Sequence, residues 1–358
     1  MSDKLDYLIE GPKSDAGPKG SEGPKGSDRG AGPTCIIIKD KKLLQEITTF
    51  VLGLWPNRIN DYFPGPLPVS LELRNFSKLK ALPYVICVKS DGIRFFLAFF
   101  NGVSYMINRT FKIAEVAIKF KSTCKGLLFD GELIKNNDNI WTYIIHDCVC
   151  MNGVNISNDN FDQRYEILQQ GLVDYFLKDP PGFDVHLSST YIKLSVKKFF
   201  TFDKINEFKE YIKTVDHPHD GFIMTPVNKP IGTGTQYTLF KWKPKESHTF
   251  DFRVKEDHGV YYAYVIQYQK EELFASISNK ESEGKEFENS LKKIGFKSGD
   301  IVECRYDDVR GVFEPILIRL DKSHPNNINT VEKTLINIKE AITMDEHFNL
   351  SPKVRNAS

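Results

Sequence analysis

Apolar and polar positions predict a chain built largely of strands, and the strand signal is strongest between residues 82 and 100. Two apolar runs rich in β-branched and aromatic residues there flank a polar centre, KSDGIR, at residues 89–94. This pattern is typical of a buried hairpin, and Asp91-Gly92 favours its turn because glycine tolerates positive φ. The alternative is an exposed tip whose charges are solvated. Charges buried at this position would need partners or a chemical task.

Helical periodicity predicts helices over residues 35–54, 160–177 and 202–214 and over TVEKTLINIKEAI near the end of the chain. Alternating patterns predict the strands of the first part of the chain, which include VSYMI, LLFDGELIK, WTYIIHDCVC and GFIMTP. Between residues 249 and 318, five short strands (TFDFRVK, VYYAYVIQY, ELFASIS, IVECRY, PILIRL) surround a charged insert at 278–295, which is helical or looped. Five short strands suit a small Greek-key barrel of the OB type.

The length of 358 residues exceeds what a single core usually supports, so we expect two domains. Residues 11–33 repeat Gly-Pro-Lys without strict collagen periodicity, so residues 1–34 are predicted to form a flexible tail. The first domain is expected over 35–245 and the second over 246–328. A C-terminal helix and tail follow at 329–358.

Charge and cysteine usage narrow the function classes. The chain has 48 Lys+Arg against 47 Asp+Glu, which excludes a generally basic nucleic-acid binder and makes any anion site local. No uncharged apolar run reaches about 18 residues, so no membrane span is expected. The six cysteines form no CxxC pair, which favours buried thiols in a reducing compartment over zinc ligands. The first residues lack the layout of a secretory signal, which predicts an intracellular protein.

Seven short motifs resemble, in order, those of the covalent nucleotidyltransferase superfamily that contains mRNA capping guanylyltransferases and ATP-dependent DNA and RNA ligases. In this superfamily the lysine of the first motif attacks the α-phosphate of a nucleotide and carries the nucleotide as a phosphoramidate. The matching segments are KSDGIR at 89–94, DGEL at 130–133, YIIHDCVCMNG at 143–153, DGFIM at 220–224, KWK at 241–243, TFDF at 249–252 and RLDKSHPN at 319–326. The last two segments favour capping enzymes over ligases.

The resemblance implies a fold, an activity and a set of partners. The fold is α+β, with an antiparallel-sheet N-terminal domain of the ATP-grasp-like ligase type and a C-terminal OB-fold lid. The activity is transfer of GMP from GTP, with Mg²⁺ or Mn²⁺, through a covalent Lys-GMP intermediate to 5′-diphosphate RNA. An ATP-dependent polynucleotide ligase is the alternative enzyme, and a non-catalytic RNA or polymerase adaptor is the third class. Separate RNA triphosphatase and cap methyltransferase proteins are expected as partners, with RNA polymerase as a further candidate. The location is the nucleus, or the cytoplasm for a viral protein.

The candidate catalytic residues follow from the chemistry of a lysine nucleophile. Lysine, with an ordinary pKa near 10.4, is almost fully protonated at neutral pH, so Lys89 needs nearby positive charge or partial desolvation. Arg94, Lys241 and Lys243 can supply that charge and neutralise the α-phosphate. A carboxylate such as Asp220 suits a hard metal ion that keeps several waters.

The resemblance assigns further roles. Arg109 and Glu132 would hold the ribose hydroxyls, and Glu132 is also a weaker candidate for the metal. Asp251 would belong to the nucleotide site, and Arg319, Asp321 and Lys322 would engage the β and γ phosphates. Lys197, with Lys198 as the second choice, would donate to O6 of guanine.

Two positions depart from the family pattern. His146 stands where an aromatic residue usually stacks on guanine, and an imidazole has less stacking area. Leu317 stands where an arginine is usual, and Arg310 is a candidate replacement.

Each motif also has a plainer interpretation. Asp130-Gly131 and Asp220-Gly221 are ordinary turn dipeptides. Lys241 and Lys243 suit an exposed stripe with Trp242 in the core, and His146 suits a satisfied buried histidine. Lys197 suits a solvated strand end, and RLDKSHPN suits a surface turn.

Overall fold

The computed structural model describes residues 35–55, 62–176, 192–277, 281–320 and 322–343, without the side chains of 281–284. Asp321 and the predicted tail at 1–34 lie outside these ranges. The chain forms two compact units. The N-terminal unit runs to Val69 and resumes over Lys78–Lys241, whereas the C-terminal unit combines Ser70–Ser77 with the chain from Trp242 onward.

The strands of the described residues are, in chain order, β1 Cys35–Ile37, β2 Leu67–Ser70, β3 Tyr84–Ser90, β4 Ile93–Phe100, β5 Val103–Ile107, β6 Ile113–Val116, β7 Leu127–Lys135, β8 Trp141–Met151, β9 Val154–Asn155, β10 Lys193–Val196, β11 Phe200–Thr201, β12 His219–Pro226, β13 Thr235–Trp242, β14 Thr249–Asp257, β15 Val260–Gln267, β16 Lys270–Ser276, β17 Ile301–Asp307 and β18 Val312–Ile318. The α-helices are α1 Lys41–Gly53, α2 Phe76–Ala81, α3 Phe161–Tyr175, α4 Ile205–Ile212, α5 Glu281–Lys293 and α6 Ile328–Glu340.

Two sheets build the N-terminal unit. The larger has the order β1-β6-β5-β4-β7-β8-β10 with β9 paired to β8, and the smaller has the order β11-β3-β12-β13-β2. The larger sheet is mostly antiparallel, as predicted, but β10 pairs with β8 in parallel. Alternate residues of β4 enter two different cores, with Phe95 and Leu97 in one and Phe96 and Ala98 in the other. Strand β4 is therefore packed on both faces.

The segment at 82–100 is not the predicted hairpin. Strand β3 pairs with β11 and β12 in the smaller sheet, whereas β4 pairs with β5 and β7 in the larger sheet. Asp91 donates its backbone N–H to the carbonyl of Pro218 at 2.8 Å. A Cβ on Gly92 would lie 2.4 Å from the carbonyl oxygen of Leu133. The Asp-Gly pair therefore links two sheets, and glycine is required by close backbone approach rather than by a tight turn.

The first helix begins later than predicted. Residues 35–37 form β1, which pairs antiparallel with β6. The helix α1 begins at Lys41 because the side chain of Asp40 caps it by accepting from the N–H of Leu43 at 2.7 Å. The predicted helices at 160–177, at 202–214 and at the end of the chain are confirmed by α3, α4 and α6.

The C-terminal unit contains the five predicted strands as one sheet, ordered β16-β15-β14-β17-β18. Its core includes Phe250, Phe252 and Val331 of α6. Helix α6 also holds the segment Ser70–Ser77, since the side chain of Asn337 donates to the carbonyl of Leu71 at 2.8 Å. Within the described ranges, no helix has both the length and the apolar character needed to cross a bilayer.

Candidate active site

A cavity of about 360 Å³ opens in the N-terminal unit and contains the densest group of predicted site residues. Its lining includes, from the predictions, Lys89, Arg94, Arg109, Glu132, His146 and Lys197. The other part of its wall is apolar and includes Phe161, Phe199, Ile223 and Pro226. The pocket therefore offers basic side chains to an anion and an apolar surface to a flat ring.

Lys89 lies near the end of β3, where its Nζ is 2.6 Å from Oδ1 of Asp220 on the neighbouring strand β12. The strand β12 carries a register irregularity between His219 and Phe222, and Gly221 there has a φ of 143°. A bulge of this kind changes the direction of a side chain. The interpretation of Asp220-Gly221 as a turn is thus wrong, because the pair lies inside a strand.

Arg94 is bound by Asp130, which lies opposite the start of β4 on β7. Its Nε donates to Oδ1 at 2.8 Å and its Nη2 donates to Oδ2, while Nη1 donates to the carbonyl of Pro66 at 2.6 Å. His146 Nε2 lies 3.2 Å from the same Asp130 Oδ1. Burial alone would raise the pKa of Asp130, but the charge of Arg94 and the contact with His146 hold it well below its usual range. The carboxylate is therefore ionised at neutral pH and orients both partners.

The interpretation of Asp130-Gly131 as a turn is also wrong. Both residues are within β7, and a Cβ on Gly131 would lie 2.6 Å from the carbonyl oxygen of Ile144. The interpretation of His146 as a satisfied buried histidine holds in part, because its ring has Asp130 as a carboxylate partner. The same ring lines the pocket and remains partly exposed.

Glu132 lies directly opposite Arg94 in the β4–β7 register. Burial raises the pKa of Glu132, although His146, Arg94, Lys89 and Lys197 oppose the shift. Burial also lowers the pKa of Arg109, and the charge of Arg94 lowers it further. Both side chains are polar groups held partly out of water in the pocket wall.

Lys197 is 6% exposed, so its interpretation as a solvated strand end is wrong. Its Nζ donates to Oγ of Ser90. Burial lowers the pKa of Lys197, and the charge of Lys89 acts in the same direction. Lys198, the second choice, lies over the rings of Phe200 and Tyr211 and is absent from the pocket lining.

Some pocket residues were missed by the sequence analysis. Phe199 packs edge-on against Phe161, with ring centroids 4.8 Å apart. Arg164 of α3 forms two 2.8 Å bonds to the carboxylate of Asp147 and donates to the carbonyl of Lys229 at 3.1 Å. The signals were available, since Phe199 follows the Lys197-Lys198 pair and Asp147 lies inside the YIIHDCVCMNG motif.

The paired lysines fall at the boundary between the two units. Lys241 ends the N-terminal unit and Lys243 lies in the C-terminal unit. Lys241 shares a strand face with Leu239, two residues before it, which lines the pocket. The prediction that Trp242 faces the core is confirmed, because Trp242 is buried and donates its Nε1 to the carbonyl of Ile342 at 2.8 Å.

The predicted residues of the second domain form a separate cluster in the C-terminal unit. Asp251 accepts from Nη1 of Arg319 at 3.0 Å, from Nζ of Lys322 and from Nδ2 of Asn326 at 3.2 Å. Arg319 also contacts Glu303 at 3.1 Å. The carboxylate of Asp251 thus holds the two cationic side chains in place. Arg310, the candidate replacement at the Leu317 departure, is bound by carboxylates of its own unit, those of Asp307, Glu286 and Glu314.

No group of three or more His, Cys, Asp or Glu side chains that could hold a metal ion occurs among the residues the structure describes. Mg²⁺ commonly binds with one or two carboxylates, several waters and substrate phosphates, so a single carboxylate such as Asp220 is a suitable donor.

Comparison with known proteins matches almost the whole described chain. The mRNA capping enzyme catalytic domain matches residues 33–245, and the mRNA capping enzyme C-terminal domain matches residues 232–347. The mRNA-capping enzyme subunit alpha of Schizosaccharomyces pombe is 28% identical, over 89% of this chain and 86% of the relative. The mRNA-capping enzyme of Mus musculus is 26% identical, over 80% of this chain and 49% of the mouse protein.

Among solved structures, a mycobacterial DNA ligase D complexed with ATP and MES aligns with a TM-score of 0.41 and 11% identity, over 74% of this chain and 97% of that chain. The family matches define the chain as a two-domain nucleotidyltransferase. It belongs to the mRNA capping enzyme family. The predicted family is therefore confirmed.

Proposed function

We propose that this chain is an mRNA guanylyltransferase that takes GTP as its nucleotide and Lys89 as its nucleophile. The supporting observation is the pocket itself, where Lys89 lies with Arg94, Arg109 and Lys197 beside an apolar wall. Such a site suits a nucleoside triphosphate, with basic groups for the phosphates and flat apolar surface for the base. The family membership of the chain supports the RNA substrate.

In the first half-reaction, the neutral amine of Lys89 attacks the α-phosphorus of GTP. A P–N bond forms as the bond to the β-phosphate oxygen breaks, and pyrophosphate leaves. In the second, an oxygen of the RNA 5′-diphosphate attacks the same phosphorus, the P–N bond breaks and the lysine regains a proton. One phosphate site can serve both steps because GMP remains attached to Lys89 between them.

Positive charge around Lys89 suits the reacting phosphate. Each nearby cation stabilises the negative charge that develops on the phosphate during the transfer. Arg94 is held firmly by Asp130, and we propose that it and Lys241 and Lys243 act on the α-phosphate. Arg109 and Glu132 would hold the ribose, and the ring of His146 would lie against the guanine.

The donor chemistry of Asp220 fits a divalent cation, Mg²⁺ or Mn²⁺. Its carboxylate is a hard oxygen donor, is partly exposed and lies at the reacting lysine. Together with phosphate oxygens and water it would hold the ion, which would supply additional positive charge to the phosphates. The same carboxylate contacts Nζ of Lys89 at 2.6 Å, which would place the ion beside the reacting amine.

The C-terminal unit contributes to the first half-reaction in this proposal. Arg319, Asp321 and Lys322 would engage the β and γ phosphates, and Asp251 would take part through the two cations that it binds. We further propose the ATP-grasp-like ligase type for the N-terminal unit and an OB-fold for the C-terminal one. Separate triphosphatase and methyltransferase proteins and RNA polymerase are the proposed partners, and the nucleus is the proposed location.

The test is covalent labelling with α-³²P GTP or ATP, followed by denaturing electrophoresis. We expect acid-labile, alkali-stable label from GTP in the wild type. We expect none in Lys89→Arg, because arginine keeps the charge but cannot lose its proton. Lys119→Arg, at an exposed lysine of the same unit, should label like the wild type. Label from ATP alone would favour a ligase, and full labelling of Lys89→Arg would refute the proposed nucleophile.

A further inference from the structure

Behind Lys197, three side chains form a hydrogen-bonded line that leads out of the pocket. Nζ of Lys197 donates to Oγ of Ser90, and Oγ of Ser90 lies 2.7 Å from Nε2 of His217. Nδ1 of His217 lies 3.2 Å from Oδ1 of Asp216, whose other oxygen accepts from Nδ2 of Asn136 at 3.2 Å. We call Ser90, His217 and Asp216 the relay.

The chemistry of the donors allows one consistent direction along the relay. An ammonium group only donates, so Ser90 accepts from Lys197 and is free to donate its own proton to Nε2 of His217. A carboxylate only accepts, so Nδ1 of His217 carries a proton for Asp216. The relay therefore requires a neutral imidazole protonated at Nδ1, and every polar group in it is then satisfied.

Burial and neighbouring charges support this protonation state. Burial lowers the pKa of His217, and Lys197 and His219 lower it further against the opposing contact with Asp216. On the other side, the charge of Glu132 favours the ammonium form of Lys197, whereas the charge of Lys89 opposes it. A second positive charge at His217 would oppose the ammonium, and it would turn the acceptor Nε2 into a donor.

A lysine in this pocket needs such an anchor. Its side chain is a flexible four-carbon stem that ends in a point charge, so a single position of Nζ must be imposed by its partners. The hydroxyl of Ser90 accepts from Nζ, and His217 determines which way that hydroxyl points. Neither Asp216 nor His217 lies in any of the seven family motifs.

We propose that the relay fixes the ammonium of Lys197 for the O6 edge of the nucleotide base, so that His217 is a positioning residue for the choice of guanine over adenine. This inference rests on the proposed function, in which Lys197 donates to O6. It adds the groups that direct the donor. It also predicts that removal of His217 weakens recognition of O6 without removing the nucleophile.

The test combines enzyme variants with a nucleotide that lacks O6. The rate of Lys-nucleotide formation is measured with GTP and with 2-aminopurine riboside triphosphate for the wild type, His217→Ala and His217→Gln. We expect His217→Ala to reduce kcat/KM about 10-fold for GTP and less than about 2-fold for the analogue, because only GTP uses the Lys197 donor. In His217→Gln the side-chain oxygen can accept from Ser90, so most of the loss should be restored.

Controls separate this inference from a loss of folding and from failure of the proposed function. Ser104→Ala removes a buried hydroxyl that donates to the carbonyl of Ile118, outside the pocket. This variant should leave kcat/KM unchanged for both nucleotides. If His217→Ala reduces kcat/KM equally for GTP and the analogue, or for neither, the proposed role of the relay is refuted. If wild-type protein forms no Lys-GMP, the proposed function fails instead.

A second measurement tests the protonation state of His217 directly and needs no enzymatic turnover. Long-range ¹H–¹⁵N NMR of the wild-type imidazole groups should show His217 neutral at pH 7 with its proton on Nδ1. The assignment can be made by loss of the signal in His217→Gln. A proton on Nε2, or a doubly protonated ring, would contradict the direction of the relay.

Discussion

Each unit contains an aspartate that is bound by nitrogen-bearing side chains, Asp130 by two and Asp251 by three, but the two clusters differ in their access to water. Asp130 and Arg94 have side chains that are 1% and 8% exposed, whereas Lys322 beside Asp251 is 33% exposed. A buried cation that loses its carboxylate stays uncompensated, while a partly exposed one can turn to solvent. The cluster around Asp130 is therefore a fixed part of the fold, whereas the cations around Asp251 remain available to a ligand.

Removal of the buried carboxylate should have the largest effect on stability. Asp130→Asn keeps the shape but leaves Arg94 buried without its counter-charge, so we expect a loss of about 3–5 kcal/mol in the free energy of unfolding. Urea denaturation followed by fluorescence measures the loss. Asp138→Asn, in an exposed turn of the same unit, should change stability by less than about 0.5 kcal/mol. A loss below about 1 kcal/mol in Asp130→Asn would show that Arg94 finds other partners.

The cluster in the C-terminal unit should affect activity more than stability. We expect Arg319→Ala and Lys322→Ala to slow Lys-GMP formation by two or more orders of magnitude, about 3 kcal/mol of transition-state stabilisation, because their charges act on the leaving pyrophosphate. Transfer of GMP from preformed intermediate to diphosphate RNA should change far less. Single-turnover assays separate the two steps.

Lys333→Ala, at an exposed position on α6, is the matched control for these variants. Equal losses in both half-reactions would mean that Arg319 and Lys322 hold the fold or the RNA. No loss in either would favour the interpretation of RLDKSHPN as a surface turn.

Acid should weaken the contribution of Asp130 to stability. The pKa of Asp130 is held below its ordinary value near 4, so its ionised form stabilises the fold fully above about pH 5, and this contribution is lost as the pH falls through and below 4. One such group changes the free energy of unfolding by at most about 1.4 kcal/mol per pH unit. The stability difference between wild type and Asp130→Asn should shrink from pH 5 towards pH 2. A constant difference would exclude ionisation as its cause.

The pH dependence of stability that comes from Glu132 should be opposite in sign to that of Asp130, and its effect should be the smallest. Burial raises its pKa in the folded protein, so its ionisation opposes folding, and stability falls as the pH rises from the ordinary glutamate pKa near 4.3 through the raised value. Glu132→Gln should therefore gain about 1 kcal/mol at pH 7 while it loses nucleotide affinity. Thermal unfolding and GTP titration provide the two measurements. A loss of stability at pH 7 would show that the surrounding cations outweigh the burial of Glu132.

The three Asp-Gly pairs show where local sequence is informative and where it fails. Asp91-Gly92 was predicted to form a turn, and a turn was the plainer alternative for the other two pairs. Asp130-Gly131 instead lies within a strand, and Asp220-Gly221 lies in a bulge. Glycine is needed at positions 92 and 131 because carbonyl groups of other strands approach closely. Those strands are remote along the chain, so no local pattern reveals the contact.

The candidate site was also predicted only in part, because some of its residues lie in contiguous motifs and others do not. Residues spelled out in contiguous motifs, such as Lys89 and Arg94, could be recognised and are found in one pocket. Phe199, Arg164 and His217 belong to no spelled motif, and their role follows from strand register and helix packing. The link between β3 and β4 was taken for a hairpin because a two-residue connection suits a hairpin and a crossing between sheets equally well.

The short segment Ser70–Ser77 has a consequence for how the protein is made. Its partner for the Leu71 carbonyl, Asn337, is 266 residues further along the chain, and the N–H of Leu73 bonds to Glu340 at a separation of 267 residues. During synthesis from the N-terminus, this segment leaves the ribosome long before α6 exists. The C-terminal unit therefore completes its fold only after α6 has been made, and in a chain interrupted after Lys241 the carbonyl of Leu71 and the N–H of Leu73 would lack these partners.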